Sequence, residues 1–313
     1  MRPWLELSRI SNLPTVWTNV AAAWLLAGGA AADPRFAWLL LAGSLMYTGG
    51  MILNDAADVK FDTEHRRERP IPSGKVSARA AWIVSIALLA GGATLAAWHG
   101  AHPRVTALLV AAIVFYDLFH KKWAGSVVIM GSCRLLLYLM AASAVTPEAW
   151  LQPAAPETAT ASAPGGAAAV SAALPAGFIA TLPAAFALGC YVVGITLAAR
   201  SEHKREGMAP AASMLLALAL LYTPALVFVA RFASSGGYPM QILILAAFAI
   251  LISYATQRLR KGGAGTGEAV GLLLAGIVIV DALAVSSASV TVALGFVALA
   301  PVLRFWQRWV AAT

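Results

Sequence analysis

Charge is scarce in this chain. Only 12% of its 313 residues are Asp, Glu, Lys or Arg, where a soluble domain carries about 25%. That shortage excludes an ordinary soluble globular protein. Cysteine is scarcer still: Cys133 and Cys190 are the only two, and both fall inside apolar stretches. They read as small core residues, which excludes a disulfide framework or a thiolate metal site. The five histidines sit at helix ends and loops without ligand spacing, so none is assigned to metal or catalysis. Alternating short strands are missing, which excludes a transmembrane barrel. Acidic residues number 14 against 22 basic. In a soluble protein a net charge of +8 would point to nucleic acid. Here the basic residues lie between apolar runs, so the excess concerns orientation in a membrane and no nucleic-acid partner is expected.

Apolar residues are abundant, at 60% of the chain. They form ten runs: 13–32, 36–53, 80–98, 105–119, 126–145, 177–199, 211–233, 239–257, 268–285 and 290–306. Most have the length that crosses a bilayer, about 17–25 residues; 105–119 is shorter and extends into His120. Backbone groups find no water in lipid, so the runs must be helices. The predicted fold is therefore all-α, a polytopic transmembrane bundle with one domain over 1–313 and no separate soluble domain. The N-terminus has the flanks of a signal peptide, but its run is long enough to span, and Asn12-Leu13-Pro14 reads as a helix start. Threading the spans with the N-terminus inside leaves Arg35, Arg104 and Arg231 outside and Arg134 within a span. Every other Lys and Arg falls on the inner side. The positive-inside rule then places the N-terminus and the loops after the second and sixth spans in the cytoplasm, with a bacterial inner membrane as the expected setting. Residues 146–176 are rich in Ala, Pro, Ser and Thr, with little to pack. They are expected to form a flexible outer loop that the chemistry does not need.

One polar stretch needs a reason in so apolar a chain. Asn54-Asp55-Ala56-Ala57-Asp58-Val59-Lys60-Phe61-Asp62 follows an apolar span, and Arg66, Arg67, Arg69 and Lys75 come after it. Asn54, Asp58 and Asp62 are four apart and share a face if the stretch is one helix, with Asp55 on the same side. Three carboxylates on one face repel unless cations lie among them. Oxygen-only ligands suit a hard ion such as Mg²⁺, which also takes substrate phosphates. The basic residues that follow, Arg66 and Arg69 among them, can hold the same phosphates.

The stretch resembles the first aspartate-rich motif, N-D-x-x-D-x-x-x-D, of the UbiA superfamily of membrane prenyltransferases, and matches it at every defined position. Arg69-Pro70-Ile71-Pro72-Ser73-Gly74-Lys75 resembles the run that follows that motif. Arg9-Ile10-Ser11-Asn12-Leu13-Pro14 resembles the family's opening. The resemblance implies a UbiA-like bundle with a central cavity opening near the cytoplasmic face. The family has nine spans, so 290–308 reads as a possible extra tenth. The resemblance also implies Mg²⁺ as cofactor, a prenyl diphosphate and a hydrophobic acceptor as partners within the lipid bilayer, and Asp55, Asp58 and Asp62 as catalytic and, with Asn54, metal-holding.

The family's second motif, D-x-x-x-D, is absent near the sixth helix. The stretch 194–206 nevertheless lies on 50–62 without a gap, setting Glu202 on Asp58, Lys204 on Lys60 and Glu206 on Asp62. Glu202 and Glu206 are thus expected to form a second metal-binding face, with Lys204 toward the diphosphate. A charged loop with pairing at four-residue spacing is the other reading. The departure resembles a divergent branch found in bacterial secondary-metabolite clusters.

Arg134 lies deep in the fifth span, roughly 12 Å in at 1.5 Å per residue. Arginine in lipid is costly and faces a cavity or a partner, so it either grips a diphosphate or pairs with Asp281. Tyr116, Lys121 and Lys122 close the fourth span. The resemblance suggests diphosphate contact by Lys121 or Lys122 and carbocation shielding by Tyr116, with an interfacial aromatic and snorkelling lysines as the alternative. Asn19 contacts substrate or a neighbouring helix, and Asp117 reads as a helix-end charge. Prenyl transfer from a prenyl diphosphate to a lipophilic or aromatic acceptor is the expected activity. The alternatives are a non-catalytic UbiA-like protein of transport or lipid handling, and a cyclase or phosphatase acting on the same diphosphate.

Overall fold

The computed structural model describes residues 2–121, 123–147, 174–201, 209–235, 239–261, 264–307 and 309. Among them there is no strand. A short helix α1 (Arg2–Leu7) and a 3₁₀ turn (Ile10–Asn12) precede α2 (Leu13–Leu26). α3 (Pro34–Ala57) and the short α4 (Val59–His65) carry the acidic stretch. α5 (Ala78–Trp98), α6 (Pro103–Phe119) and α7 (Ser126–Ser143) follow. The second half holds α8 (Ala176–Ser201), α9 (Ala209–Ser235), α10 (Pro239–Lys261), α11 (Ala264–Val285) and α12 (Val290–Trp306).

All ten predicted runs are helices. Seven are long and apolar enough to cross a membrane; α2, α6 and α12 are shorter, at 14, 17 and 17 residues. The first run was expected to reach residue 32, but α2 stops at Leu26. Gly28 at φ 91° reverses the chain there, a conformation that favours glycine. Residues 148–173, most of the expected outer loop, lie outside the described residues.

The local signals are chemical. Asp33 accepts the Arg35 amide at 2.9 Å, and Pro34 opens α3. Ser77 accepts the Ala80 amide at 3.2 Å, and Pro103 opens α6. These are side-chain caps and first-turn prolines, which satisfy or avoid the orphan donors of a helix start. Pro183, Pro224 and Pro301 sit inside helices, as bundled membrane helices tolerate.

α11 is the buried axis of the bundle: 83% of its apolar window lies inside. α2 packs against α3, α7 and α11; α3 packs on α5, α7 on α8, and α10 and α12 on α11. Small residues bring neighbours close. A Cβ on Gly131 of α7 would lie 2.5 Å from the Gly189 carbonyl of α8, and one on Gly92 of α5 would lie 2.8 Å from the Ala42 carbonyl of α3. Such contacts suit a bundle that packing, rather than water exclusion, must hold. Large apolar side chains such as Ile83, Ile86, Trp98 and Leu226 are exposed, which is the surface a lipid-embedded protein presents.

The bundle has two polar ends. At one, Arg35 donates to Ala144 O at 3.1 Å, and the His102 amide donates to Ser143 Oγ at 2.9 Å. At the other end lies the acidic stretch.

Candidate functional site

The acidic stretch is not one helix. α3 ends at Ala57, Asp58 takes φ −86°, ψ 3°, and α4 begins at Val59. Backbone bonds carry the path across this break: the Asp58 amide donates to Asn54 O at 3.0 Å and the Asp62 amide to Asp58 O at 2.9 Å. The expected single face therefore divides between two sets of partners.

Asp55 and Asp62 share Arg69. Its Nη1 lies 3.1 Å from Asp55 Oδ1 and 2.9 Å from Asp62 Oδ2. The loop that carries Arg69 is pinned by its own apolar residues. Ile71 and Val76 pack into a small cluster with Leu7, Ile52, Ala56 and Ala81, and Gly74 turns the loop at φ 76°. This explains Arg69-Pro70-Ile71-Pro72-Ser73-Gly74-Lys75 physically: hydrophobic burial sets the guanidinium over α3. Arg9 reaches the same carboxylate from the opening motif, with Nη2 3.4 Å from Asp55 Oδ1. Its backbone sits in the left-handed region at φ 43°, uncommon for a side-chain-bearing residue and typical of clamps, and its carbonyl accepts the Tyr47 hydroxyl at 3.2 Å.

Asn54 and Asp58 meet the end of α6. The Asn54 amide donates to Asp117 Oδ1 at 3.0 Å. Lys121 Nζ lies 2.8 Å from Asp58 Oδ1, and His120 Nε2 lies 3.5 Å from Asp58 Oδ2. Burial pushes the Asp58 carboxyl up, but the hydrogen bonds from His120 and Lys121 outweigh it and hold the group below the usual carboxylate range. Lys121 also sits 3.7 Å over the Phe61 ring. Arg200 of α8 fastens the α6–α7 connection, donating to Ser126 Oγ at 3.0 Å and Ala124 O at 3.1 Å.

Beside these groups lies a cavity of about 350 Å³ between α2, α3, α6, α7, α8 and α11. Its lining is mostly Val, Leu, Ile and Met, with Arg9, Tyr47, Tyr116, Asp117 and Arg134 as polar or aromatic points. Arg134 and Asn19 join a different assembly. Arg134 Nη1 donates to Asn19 Oδ1 at 2.7 Å, and Asn19 Nδ2 to Asp281 Oδ2 at 2.7 Å. Tyr138 donates to Asp281 Oδ1 at 2.7 Å. Arg134 thus reaches Asp281 through Asn19, not by a direct pair, and lines the cavity with its remaining surface.

The structure brings together Asn54, Asp55, Asp58, Asp62, Arg69 and Lys121, with Tyr116 on the cavity wall. Arg66 is exposed at the end of α4. Lys122, Glu202, Lys204 and Glu206 lie outside the described residues. Arg9 is part of the family-like opening run but, like His120 and Arg200, has no chemical role expected from the sequence, and Asp117 is expected there as a helix-end charge only. For His120 and Lys121 the signal was their place three and four residues after Asp117, which sets all three on one side of a helix end.

Among the described residues no group of three or more His, Cys, Asp or Glu side chains converges on one point; basic side chains hold the carboxylates instead. The donors nonetheless fit Mg²⁺. They are hard oxygens with lone pairs to spare, and Asp62 Oδ1, in a residue 1% exposed, has no hydrogen-bond partner. A buried carboxylate oxygen left open in this way calls for an ion or water.

The family model described as the UbiA prenyltransferase family matches residues 15–264. A digeranylgeranylglyceryl phosphate synthase of Metallosphaera sedula is 33% identical over 142 residues, 44% of this chain and 50% of that protein. The chain spans about half the length of the curated relatives it matches. Among solved structures, an apo UbiA homologue from Aeropyrum pernix K1 superposes with a TM-score of 0.65 at 18% identity, covering 88% of this chain and 97% of that one. A UbiA homologue from Archaeoglobus fulgidus bound to DMAPP and Mg²⁺ gives 0.54 at 17% identity, covering 88% and 98%. At such identities the likeness establishes the fold.

Proposed function

The chain belongs to the UbiA prenyltransferase family, and from that premise we propose that it is an integral-membrane, Mg²⁺-dependent prenyltransferase that moves a prenyl group from its diphosphate to a lipophilic or aromatic acceptor. The observation that carries this reading is the complete first motif, buried at Asp55 and Asp62 and half-buried at Asn54 and Asp58, beside an apolar cavity, with each carboxylate already on a cationic side chain. The same cations suit a diphosphate.

Asn54, Asp55, Asp58 and Asp62, with Glu202 and Glu206 from the second stretch, would hold Mg²⁺. Bound there, the ion supplies positive charge that makes pyrophosphate a competent leaving group. Arg9, Arg69 and Lys121 orient the phosphates and add to that charge. Arg66, Lys122 and Lys204 are assigned to the same work from the sequence alone. The allylic C–O bond breaks with its electron pair leaving on pyrophosphate. The cation that remains lies in the apolar cavity, where Tyr116 and Tyr47 offer aromatic faces and the lining excludes the water that would quench it. The acceptor's nucleophilic atom closes on the cation and gives up its proton to the released pyrophosphate, which carries it out. Arg134 and Asn19 fix the polar wall of the chamber. The motif end faces the cytoplasm by the distribution of Lys and Arg.

Incubation of membranes with labelled prenyl diphosphates and Mg²⁺, followed by mass identification of the labelled lipid, tests this reading. Label should enter a lipid in the wild type and be lost in Asp58→Ala; unchanged turnover in the variant overturns it. A second reading, a non-catalytic relative that handles lipids, is favoured by one observation, the missing aspartate pair in 194–206. Absence of Mg²⁺-dependent thermal stabilisation by millimolar prenyl diphosphate would select it. Label released without acceptor would select a cyclase or phosphatase.

A further inference from the structure

Among the described residues two buried carboxylate oxygens have no hydrogen-bond partner, Asp62 Oδ1 and Asp117 Oδ2, both at this end of the bundle. Asp62 belongs to the motif; Asp117 does not. Asp117 stands on α6, is 6% exposed, and lines the cavity. Its other oxygen accepts from Asn54 at 3.0 Å. The two helices meet closely here, since a Cβ on Gly50 would lie 2.8 Å from Ile113 Cγ2 and 4.0 Å from Asp117 Oδ2. An apolar residue at 117 would suit the apolar lining and would cost only the acceptor of the half-buried Asn54 amide. A carboxyl with one open oxygen does not.

We propose that Asp117 is a divalent-cation ligand, acting with Asn54 and Asp58, so that α6 supplies a carboxylate facing the first motif from outside it. The end of α6 already gathers these residues. Asn54 bonds Asp117, and Asp58 is held by His120 and Lys121, three and four residues further on. The chain's second acidic stretch offers glutamates where the family pattern has aspartates, and a ligand on α6 keeps the cation opposite the motif whatever those glutamates do. The proposal rests on the reading of the motif as a cation site.

Mn²⁺ is the probe. Purified full-length protein is titrated with Mn²⁺ to millimolar concentration, with free ion read by electron paramagnetic resonance, for the wild type, Asp58→Asn, Asp117→Asn and Asp117→Leu. Metal-free melting is recorded for each. Asp58→Asn and both Asp117 variants should bind about tenfold more weakly or worse, as loss of a ligand or its support costs. Metal-free melting of Asp117→Leu should stay within about a degree of the wild type, because loss of the open buried oxygen offsets loss of the bond from the half-buried Asn54 amide. Weak binding in Asp58→Asn with wild-type binding in Asp117→Asn overturns this proposal and leaves the motif reading standing. No binding in the wild type overturns both. A fall of several degrees in metal-free melting for both Asp117 variants makes Asp117 a structural support of Asn54 and overturns the ligand role.

Discussion

Arg69→Met is the perturbation with the largest expected effect on the folded site. Arg69 Nη1 lies 2.9 Å from Asp62 Oδ2 and 3.1 Å from Asp55 Oδ1, with the Arg69 side chain 17% exposed and that of Asp62 1%. Methionine matches the aliphatic stem and removes the charge. Asp62 is then left with both oxygens unpartnered, since Oδ1 already lacks a hydrogen bond. Asp55 keeps Arg9 at 3.4 Å. Stranding one partner of a buried pair costs about 3–5 kcal/mol; Arg9 and the partial exposure of Arg69 place this case near ~3 kcal/mol, or about a hundredfold in the folded-to-unfolded ratio. Asp62→Asn in the same background removes the stranded charge and should recover at least about half of that loss. The assay is reversible unfolding of purified protein in mixed detergent, with and without Mg²⁺. Mg²⁺ should stabilise Arg69→Met more than the wild type, because it meets carboxylates that no guanidinium holds. A cost below about 1 kcal/mol, or a double variant no more stable than Arg69→Met alone, would refute the reasoning that burial and charge at Asp62 dominate.

Other outcomes follow from the same geometry. Asp58 has its carboxyl held below its ordinary value by His120 and Lys121 against the opposing push of burial. A depressed folded pKa gives stability that is present above the unfolded value, near 3.9, and is lost as pH falls through the folded pKa. The melting difference between wild type and Lys121→Gln should therefore stay flat from about pH 5 to 8, begin to shrink below about pH 4, the unfolded value, and vanish only below the depressed folded pKa; a difference that grows on acidification contradicts the pairing. Asn19→Leu should cost roughly 3 kcal/mol, because it removes the bridge between Arg134 and Asp281 and leaves each buried charge with hydroxyl partners only, Thr15 at 3.1 Å for Arg134 and Tyr138 at 2.7 Å for Asp281. Tyr138→Phe should cost only about 1–2 kcal/mol, one hydrogen bond to a carboxylate. Equal losses in the two would show that Asn19 is not the bridge. Gly131→Ala should destabilise by about 1–3 kcal/mol, since its Cβ would lie 2.5 Å from the Gly189 carbonyl, whereas Gly91→Ala, with nothing within 4 Å, should be neutral or mildly stabilising. Melting of the two alanine variants in one detergent decides it.

The helices were legible because the bilayer dictates length and forbids other structure; each predicted run is a helix. The motif was legible because polar residues at an apolar edge are rare. The break at Asp58 was not, since an i, i+4 spacing reads the same through a one-residue interruption that backbone bonds carry across. Arg9 was hidden by distance: it meets Asp55 from 46 positions away, and no periodicity reports such a pair. Asp117 was hidden by its position, since a charge at a helix end is ordinarily solvated and only its burial says otherwise. The Arg134–Asp281 relation was half legible. Two opposite charges in apolar spans invite a direct pair, but α2 packs against both α7 and α11, and its Asn19 fills the gap as donor to one and acceptor from the other.

The interruption at Asp58 has a chemical consequence. Had α3 continued, the acids would crowd one face and depend on a single set of counter-charges. Dividing them gives Asp55 and Asp62 one guanidinium, and Asn54 and Asp58 the polar end of α6. With Arg9 also on Asp55, three cations face three carboxylates before any ligand arrives, which offsets the self-repulsion of four-residue spacing and lets four polar residues sit in a largely buried position. The same cations then stand where diphosphate oxygens are proposed to lie. On that reading, a ligand exchanges partners within a preset array instead of assembling one, and the reorganisation that would otherwise oppose bond breaking is already complete.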